Sequence, residues 1–213
     1  MSRLWLPRRF PVGSLAFLAA IAAAPAATAQ DPNRDPVAIS VLGNDPHARH
    51  CGESVNNGEA SGQVVDECTR ALRYSRLTRE AGIQLRIDRG VTYERLRQHD
   101  LALADFDSVL ATDPHNPDAL VNRGAALVQM QRYGDAIVAL TDALSFGVKE
   151  PYKAYYNRGV AREALHDLQG AYDDYSTALQ IRPNWVPAND EVARFIQGRR
   201  EHLADVLNRP AQP

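Results

Sequence analysis

The sequence predicts an all-α protein in which about three helix-turn-helix units stack as a solenoid, with a half-repeat helix before them and a capping helix after them. Three observations predict it. From Val64 almost to the end, apolar side chains recur at helical spacing, and no stretch shows the sustained alternation of a half-buried strand. The triplet Asp88-Arg89-Gly90 returns as Asn122-Arg123-Gly124 and Asn157-Arg158-Gly159, with glycines 34 and 35 residues apart. Behind each glycine, at fixed distances, come a small residue (Ala102, Ala136, Ala171), a large apolar one (Phe106, Leu140, Tyr175) and a pair (Val109-Leu110, Ala143-Leu144, Ala178-Leu179).

The segments before these units have other characters. Residues 1–29 run from Arg3, Arg8 and Arg9 through an apolar stretch, Leu15 to Ala24, to small residues at Ala27-Thr28-Ala29. That order is a secretory signal, with cleavage expected after Ala29 and a periplasmic or secreted mature chain. The apolar stretch is short of the ~20 residues that span a bilayer. Removing three arginines and no acid shifts the formal charge from −2 to −5, which argues against nucleic acid or an anionic membrane as partner. Residues 30–62 are rich in Pro, Asn, Gly and Asp and predict an extended N-terminal arm. Cys51 and Cys68 are the only cysteines. In an oxidising compartment the pair is first a disulfide, closing a loop worth about 3 kcal/mol. The alternative is a metal or redox site at His47, His50 and Cys51, which lacks a ligand set at zinc spacing.

The helical region then divides into elements. Residues 64–80 predict a helix like the second half of a repeat, with Cys68 where that half-repeat would bury its large apolar residue. The three units cover about 83–116, 117–151 and 152–185, with helices near 83–96 and 99–111, 117–130 and 133–146, and 152–165 and 168–181. Asn116-Pro117 is a start signal, a capping side chain before a first-turn proline. Pro114 and Pro183 close the first and third units, and the one extra residue of the second falls near Gly147–Pro151. A capping helix over 188–207, started by Asn189-Asp190, carries Val192, Phe195, Ile196, Leu203 and Val206 on one face. Residues 208–213 form a tail.

These residues resemble the tetratricopeptide repeat family over about residues 83–185. The resemblance implies a right-handed superhelix of antiparallel helix pairs. Gly90, Gly124 and Gly159, with Ala102, Ala136 and Ala171, let the two backbones of a unit approach; Ala143 and Ala178 make room for the next unit. Two positions depart from the family. Arginines Arg89, Arg123 and Arg158 stand where an apolar residue is usual, with Asp105, Asp107, Asp142, Asp173 and Asp174 as candidate partners. The usual large aromatic of the first helix is Arg86 in unit one and Leu120 in unit two; only unit three has one, Tyr155.

The resemblance also places a binding groove on the first helices of the units. Asp88, Asn122 and Asn157 occupy one position per unit, and an amide can both donate to and accept from a peptide main chain. Asparagines at this place hold peptide backbone in some family members, which implies that role for Asn122 and Asn157; Asp88 would accept only. Ile87, Val91, Val121, Ala125, Lys153, Tyr156 and Val160 complete the candidate lining. A clamp for a C-terminal carboxylate is not expected, because Ile87 and Val91 are apolar where it needs polar groups and Asn157 stands where it needs arginine.

Catalytic patterns are missing from the sequence: no G-x-S-x-G, phosphate loop, H-E-x-x-H or paired-cysteine zinc site occurs. The expectation is a non-enzymatic scaffold without cofactor or metal, in a Gram-negative-type envelope, holding a protein or extended peptide. The rival expectation is a self-assembling envelope protein whose own arm fills the groove.

Overall fold

The computed structural model describes residues 45–74 and 76–208. The expected signal segment, residues 30–44 of the expected arm, and residues 209–213 of the expected tail lie outside the described residues. Among the described residues the structure is entirely helical: α1 (Pro46–Asn56), α2 (Gly62–Tyr74), α3 (Arg79–Arg95), α4 (His99–Thr112), α5 (Pro117–Gln129), α6 (Tyr133–Ser145), α7 (Pro151–Ala164), α8 (Leu168–Ile181) and α9 (Val186–Asn208). Each helix packs on the next, and α1, α3, α5 and α7 also touch in series. The result is the expected solenoid.

Local chemistry sets the helix starts. Asn116 caps α5 by accepting from Ala119 N–H at 2.9 Å, with Pro117 behind it. Thr78 caps α3 through Ala81 N–H, and Asp167 caps α8 through Gly170 N–H. The turns inside the three expected units share one form, with Arg97, Gln131 and His166 in the left-handed region at φ 59°, 61° and 64°. The extra residue of the second unit lengthens the loop after α6. There Gly147 takes φ 78° and Val148 turns inward, 7% exposed. The capping helix starts earlier than expected, at Val186, so Asn189 and Asp190 sit within it; Pro187 supplies the first-turn proline.

Packing follows the repeat. A Cβ on Gly90 would lie 2.5 Å from the Phe106 ring, one on Gly124 2.5 Å from Leu140, and one on Gly159 2.7 Å from Tyr175. The large residue of each second helix therefore nests on the bare glycine of the first. Ala102, Ala136, Ala143, Ala171 and Ala178 are all fully buried, as close packing of the backbones requires.

The region before Arg79 corrects two expectations. Residues 46–56 form a capped helix rather than an extended arm: Asp45 accepts from Ala48 N–H at 2.8 Å and Pro46 opens the first turn. With α2 it makes a complete hairpin, so the expected half-repeat is a whole unit. Its residues follow the same register. Gly52 is buried, Val64 stands at the place of Ala102, Cys68 at the place of Phe106, and Ala71-Leu72 at the place of Ala143-Leu144. Gly52 precedes Gly90 by 38 residues rather than 34, because α3 begins with an additional turn, Arg79–Gly82. The sulfurs of Cys51 and Cys68 are bonded, with Cα atoms 5.0 Å apart, and both residues are fully buried. The bond joins the two helices of one hairpin; it does not tie a loose arm across the first repeat.

Candidate functional site

The three arginines before the repeat glycines are structural, and their partners obey a rule. Each reaches back to the preceding unit, at the position after its large nested residue: Arg89 Nη1 donates to Thr69 (3.0 Å), Arg123 Nε to Asp107 (2.7 Å) and Arg158 Nη1 to Thr141 (3.1 Å). Arg89 and Arg158 also form two-bonded pairs within their own units, with Asp105 (2.8 and 2.6 Å) and Asp174 (3.0 and 2.8 Å). In the middle unit the corresponding residue is Ala139, and there the carboxylate sits in the preceding unit instead, as Asp107. Of the expected partners, Asp142 and Asp173 are not used: Asp173 accepts from Gln169. Asp105 and Asp174 are 5% and 3% exposed, and the bond to each holds its arginine above the usual guanidinium range despite burial.

The groove candidates separate into two groups. At the N-terminal end, Ile87 and Asp88 are each 6% exposed. Ile87 packs with Val109 and Ala119, and Val91 packs against the surrounding clusters. Asp88 accepts from Gln84 Nε2 at 2.9 Å, and burial pushes its carboxyl up to about 6 against the opposing pull of Gln84 and Arg95. Neither residue is open to a partner, which corrects their expected place in the lining. Ile87 is covered by Val109 of α4 and Ala119 of α5, and Asp88 lies near Arg95, which binds the unforeseen first hairpin. Arg95 donates to the Val55 and Glu59 carbonyls, so the end of α1 lies over α3.

Further along, the candidates are accessible. Asn122 and Asn157 are half-buried on α5 and α7. Asn122 donates to its own helix at Asp118 O (2.8 Å), which leaves its amide oxygen outward; the Asn157 amide bonds no described residue, and no buried side-chain nitrogen or oxygen among the described residues lacks a partner. Val121, Ala125 and Val160 are half-buried beside them. Lys153 is exposed and paired to Glu150. Tyr156 is partly covered: its ring meets Trp185 edge-on at 5.1 Å and Tyr175 at 5.6 Å. Burial first, then the charges of Glu191, Asp190 and Glu163, push its phenol up.

The acids around Tyr156 were not singled out in the sequence. Arg194 of α9 donates to both Glu163 of α7 (2.6 Å) and Glu191 (2.7 Å). Tyr175 donates its hydroxyl to Glu163 at 3.0 Å. Trp185, in the turn before α9, also meets Tyr152 at 4.9 Å. Only the periodic continuation of the repeat into α9 could have found them, since Ala154 and Ala188, both fully buried, are 34 residues apart. His47 pairs with Glu67 across the first hairpin, His99 with Glu94 at 2.9 Å, and His115 stacks on Phe146 at 4.4 Å. No group of three His, Cys, Asp or Glu able to hold a metal occurs among the described residues. No helix among them is long and apolar enough to cross a membrane.

Comparison with known proteins follows the same register. Tetratricopeptide repeat family models match residues 95–155 and 152–184. RNA polymerase II-associated protein 3 of Xenopus tropicalis is 32% identical over 126 residues, 58% of this chain and 19% of that protein. The chain thus spans about a fifth of the length of the curated relatives it matches. Among solved structures, the first tetratricopeptide domain of Spaghetti (RPAP3), bound to HSP90 peptide SRMEEVD, is 28% identical with a TM-score of 0.51, over 55% of this chain and 91% of that one. MamA from Desulfovibrio magneticus RS-1 is 17% identical with a TM-score of 0.59, over 74% of this chain and 87% of that one, and shares the fold.

Proposed function

We propose that this tetratricopeptide repeat chain is a non-enzymatic scaffold, which holds an extended segment of a partner protein on the accessible face of α5 and α7. The observation that carries this reading is the pair Asn122 and Asn157, on equivalent turns of neighbouring helices, with accessible amides beside apolar Val121 and Val160. An amide pair set in this way grips main chain with little regard to sequence. Support also comes from the Spaghetti domain, which shares this repeat and was solved with a peptide bound. The carboxylate clamp is not carried over, since Ile87 is a buried and Val91 a partly buried apolar residue.

The scaffold works in the cell envelope, after export and cleavage behind Ala29. The charge-apolar-small order of residues 1–29 and the bonded Cys51–Cys68 pair support that location.

Affinity capture from envelope extract tests the groove. The full chain retains a partner that an Asn122→Ala/Asn157→Ala variant of unchanged circular dichroism loses. Equal capture by both would reject the groove. Fractionation with N-terminal sequencing tests the location, with Gln30 as the expected first residue; a cytoplasmic, uncleaved chain would reject it.

A further inference from the structure

The groove proposed above has a definite charge, and the described cations Arg95, Lys153 and Arg194 along it are already engaged. Arg95 is spent on the Val55 and Glu59 carbonyls, Lys153 on Glu150, and Arg194 on two carboxylates at once. At the α7–α9 end, Arg194 bridges Glu163 and Glu191, Glu163 accepts from the Tyr175 hydroxyl whose ring meets that of Tyr156, and Asp190 adjoins Glu191; the charges of all three acids bear on the Tyr156 phenol. Three carboxylates against one guanidinium leave two negative charges in excess beside an aromatic ring. Asp190 is exposed and Glu163 and Glu191 are about a quarter exposed, so the excess faces solvent rather than a sealed core. Tyr156 itself makes no hydrogen bond to a described residue, and its ring lies at the junction of these acids with Trp185.

An acidic segment entering here would meet carboxylates with no cation to receive it. A lysine or arginine would meet carboxylates and aromatic faces, the two surfaces that attract a cation. Resting on the groove reading, we infer that the partner segment is basic: an extended chain held at Asn122 and Asn157, with a lysine or arginine directed to Glu163, Asp190 and Glu191 beside Tyr156. The preference is opposite in sign to the acidic SRMEEVD peptide held by the Spaghetti domain. The groove therefore keeps the repeat's way of holding main chain and inverts its charge.

The test is selection of random 12-residue peptides displayed on phage against the full-length chain, followed by titration of synthetic copies by fluorescence anisotropy. Enriched peptides are expected to be net basic. Replacing their key lysine by glutamate is expected to weaken binding about tenfold, the effect of one partly buried charge-assisted contact. An Asp190→Asn/Glu191→Gln variant should shrink that ratio towards one while still binding the peptide backbone. Peptides that are acidic or neutral, yet lost with Asn122→Ala/Asn157→Ala, would overturn the charge preference and leave the groove standing. Failure of any peptide to enrich, or enrichment insensitive to the two asparagines, would overturn the groove and this inference with it.

Discussion

The first hairpin, residues 46–74, and the three units after it are built on one plan and fastened differently. In both, a buried glycine of the first helix is followed 16 positions later by a buried residue of the second, and in the later units that residue lies over the glycine. In the later units that residue is Phe106, Leu140 or Tyr175, and an arginine beside the glycine fixes the pair to its neighbours. In the first hairpin the arginine position is Cys51 and the large apolar position is Cys68. A covalent bond thus stands where the other units use both a large core residue and an ion pair. The difference teaches that this repeat fixes positions, not chemistries: what must be supplied is closure of two helices at one level.

The largest effect should come from breaking the ionic fastening where it is deepest. Asp174 is 3% exposed and receives Arg158 through two bonds and Arg162 at 3.0 Å. Asp174→Ala leaves two guanidiniums without it and is expected to cost about 3–5 kcal/mol in urea unfolding. Breaking the covalent fastening should rank next. Cys51→Ser/Cys68→Ser is expected to lose about 3 kcal/mol. Hydrogen exchange should locate that loss in α1 and α2, with the repeats after Ala119 protected as before.

Asp88 sharpens the comparison, because it is buried on α3 near Arg95, the residue that binds the first hairpin. Its carboxyl is raised by burial from 3.8 to about 6 in the folded chain, so between those values the folded state binds more protons than the unfolded one. Stability relative to Asp88→Asn is therefore full below pH ~4 and falls until about pH 6. Above that the asparagine variant should be more stable by up to about 3 kcal/mol, two pH units of differential protonation. Urea titrations at pH 4 and pH 8 check it; equal differences at both would place Asp88 in water. The smallest effect belongs to the exposed version of the ionic fastening. Asp107 has a side chain 56% exposed, and Asp107→Ala should cost under about 1 kcal/mol in the same assay.

The later units were legible because their signal is steric and local. A residue larger than glycine cannot sit under Phe106, nor one larger than alanine between packed backbones, so these positions repeat in the sequence itself. The first hairpin was hidden for equally local reasons. Its nested residue is a cysteine, and four extra residues in α3 moved Gly52 out of the 34-residue register. The groove was legible only where that oversight did no harm. Asn122 and Asn157 remain accessible, whereas Ile87 is buried against Val109 and Ala119, and Asp88 is buried near Arg95, which binds a hairpin not foreseen. The acids at Tyr156 come from two places in the chain, Glu163 on α7 and Asp190-Glu191 on α9, and no single window of sequence contains both.

A stack whose members touch mainly their neighbours opens from its ends, and the two ends here differ in what must be broken. At one, the terminal helix α1 cannot part from α2 without cutting a sulfur–sulfur bond. At the other, α9 is held among the described residues by Ala188, by Phe195 against Tyr172 and Tyr175, and by the Arg194 bridge to Glu163. Fraying is therefore directional, like a zipper sewn shut at its base. The helix that peels first is the one bearing Asp190, Glu191 and Arg194, so the charged lip of the groove is its most adaptable part, and a guest that grips it also tightens the teeth.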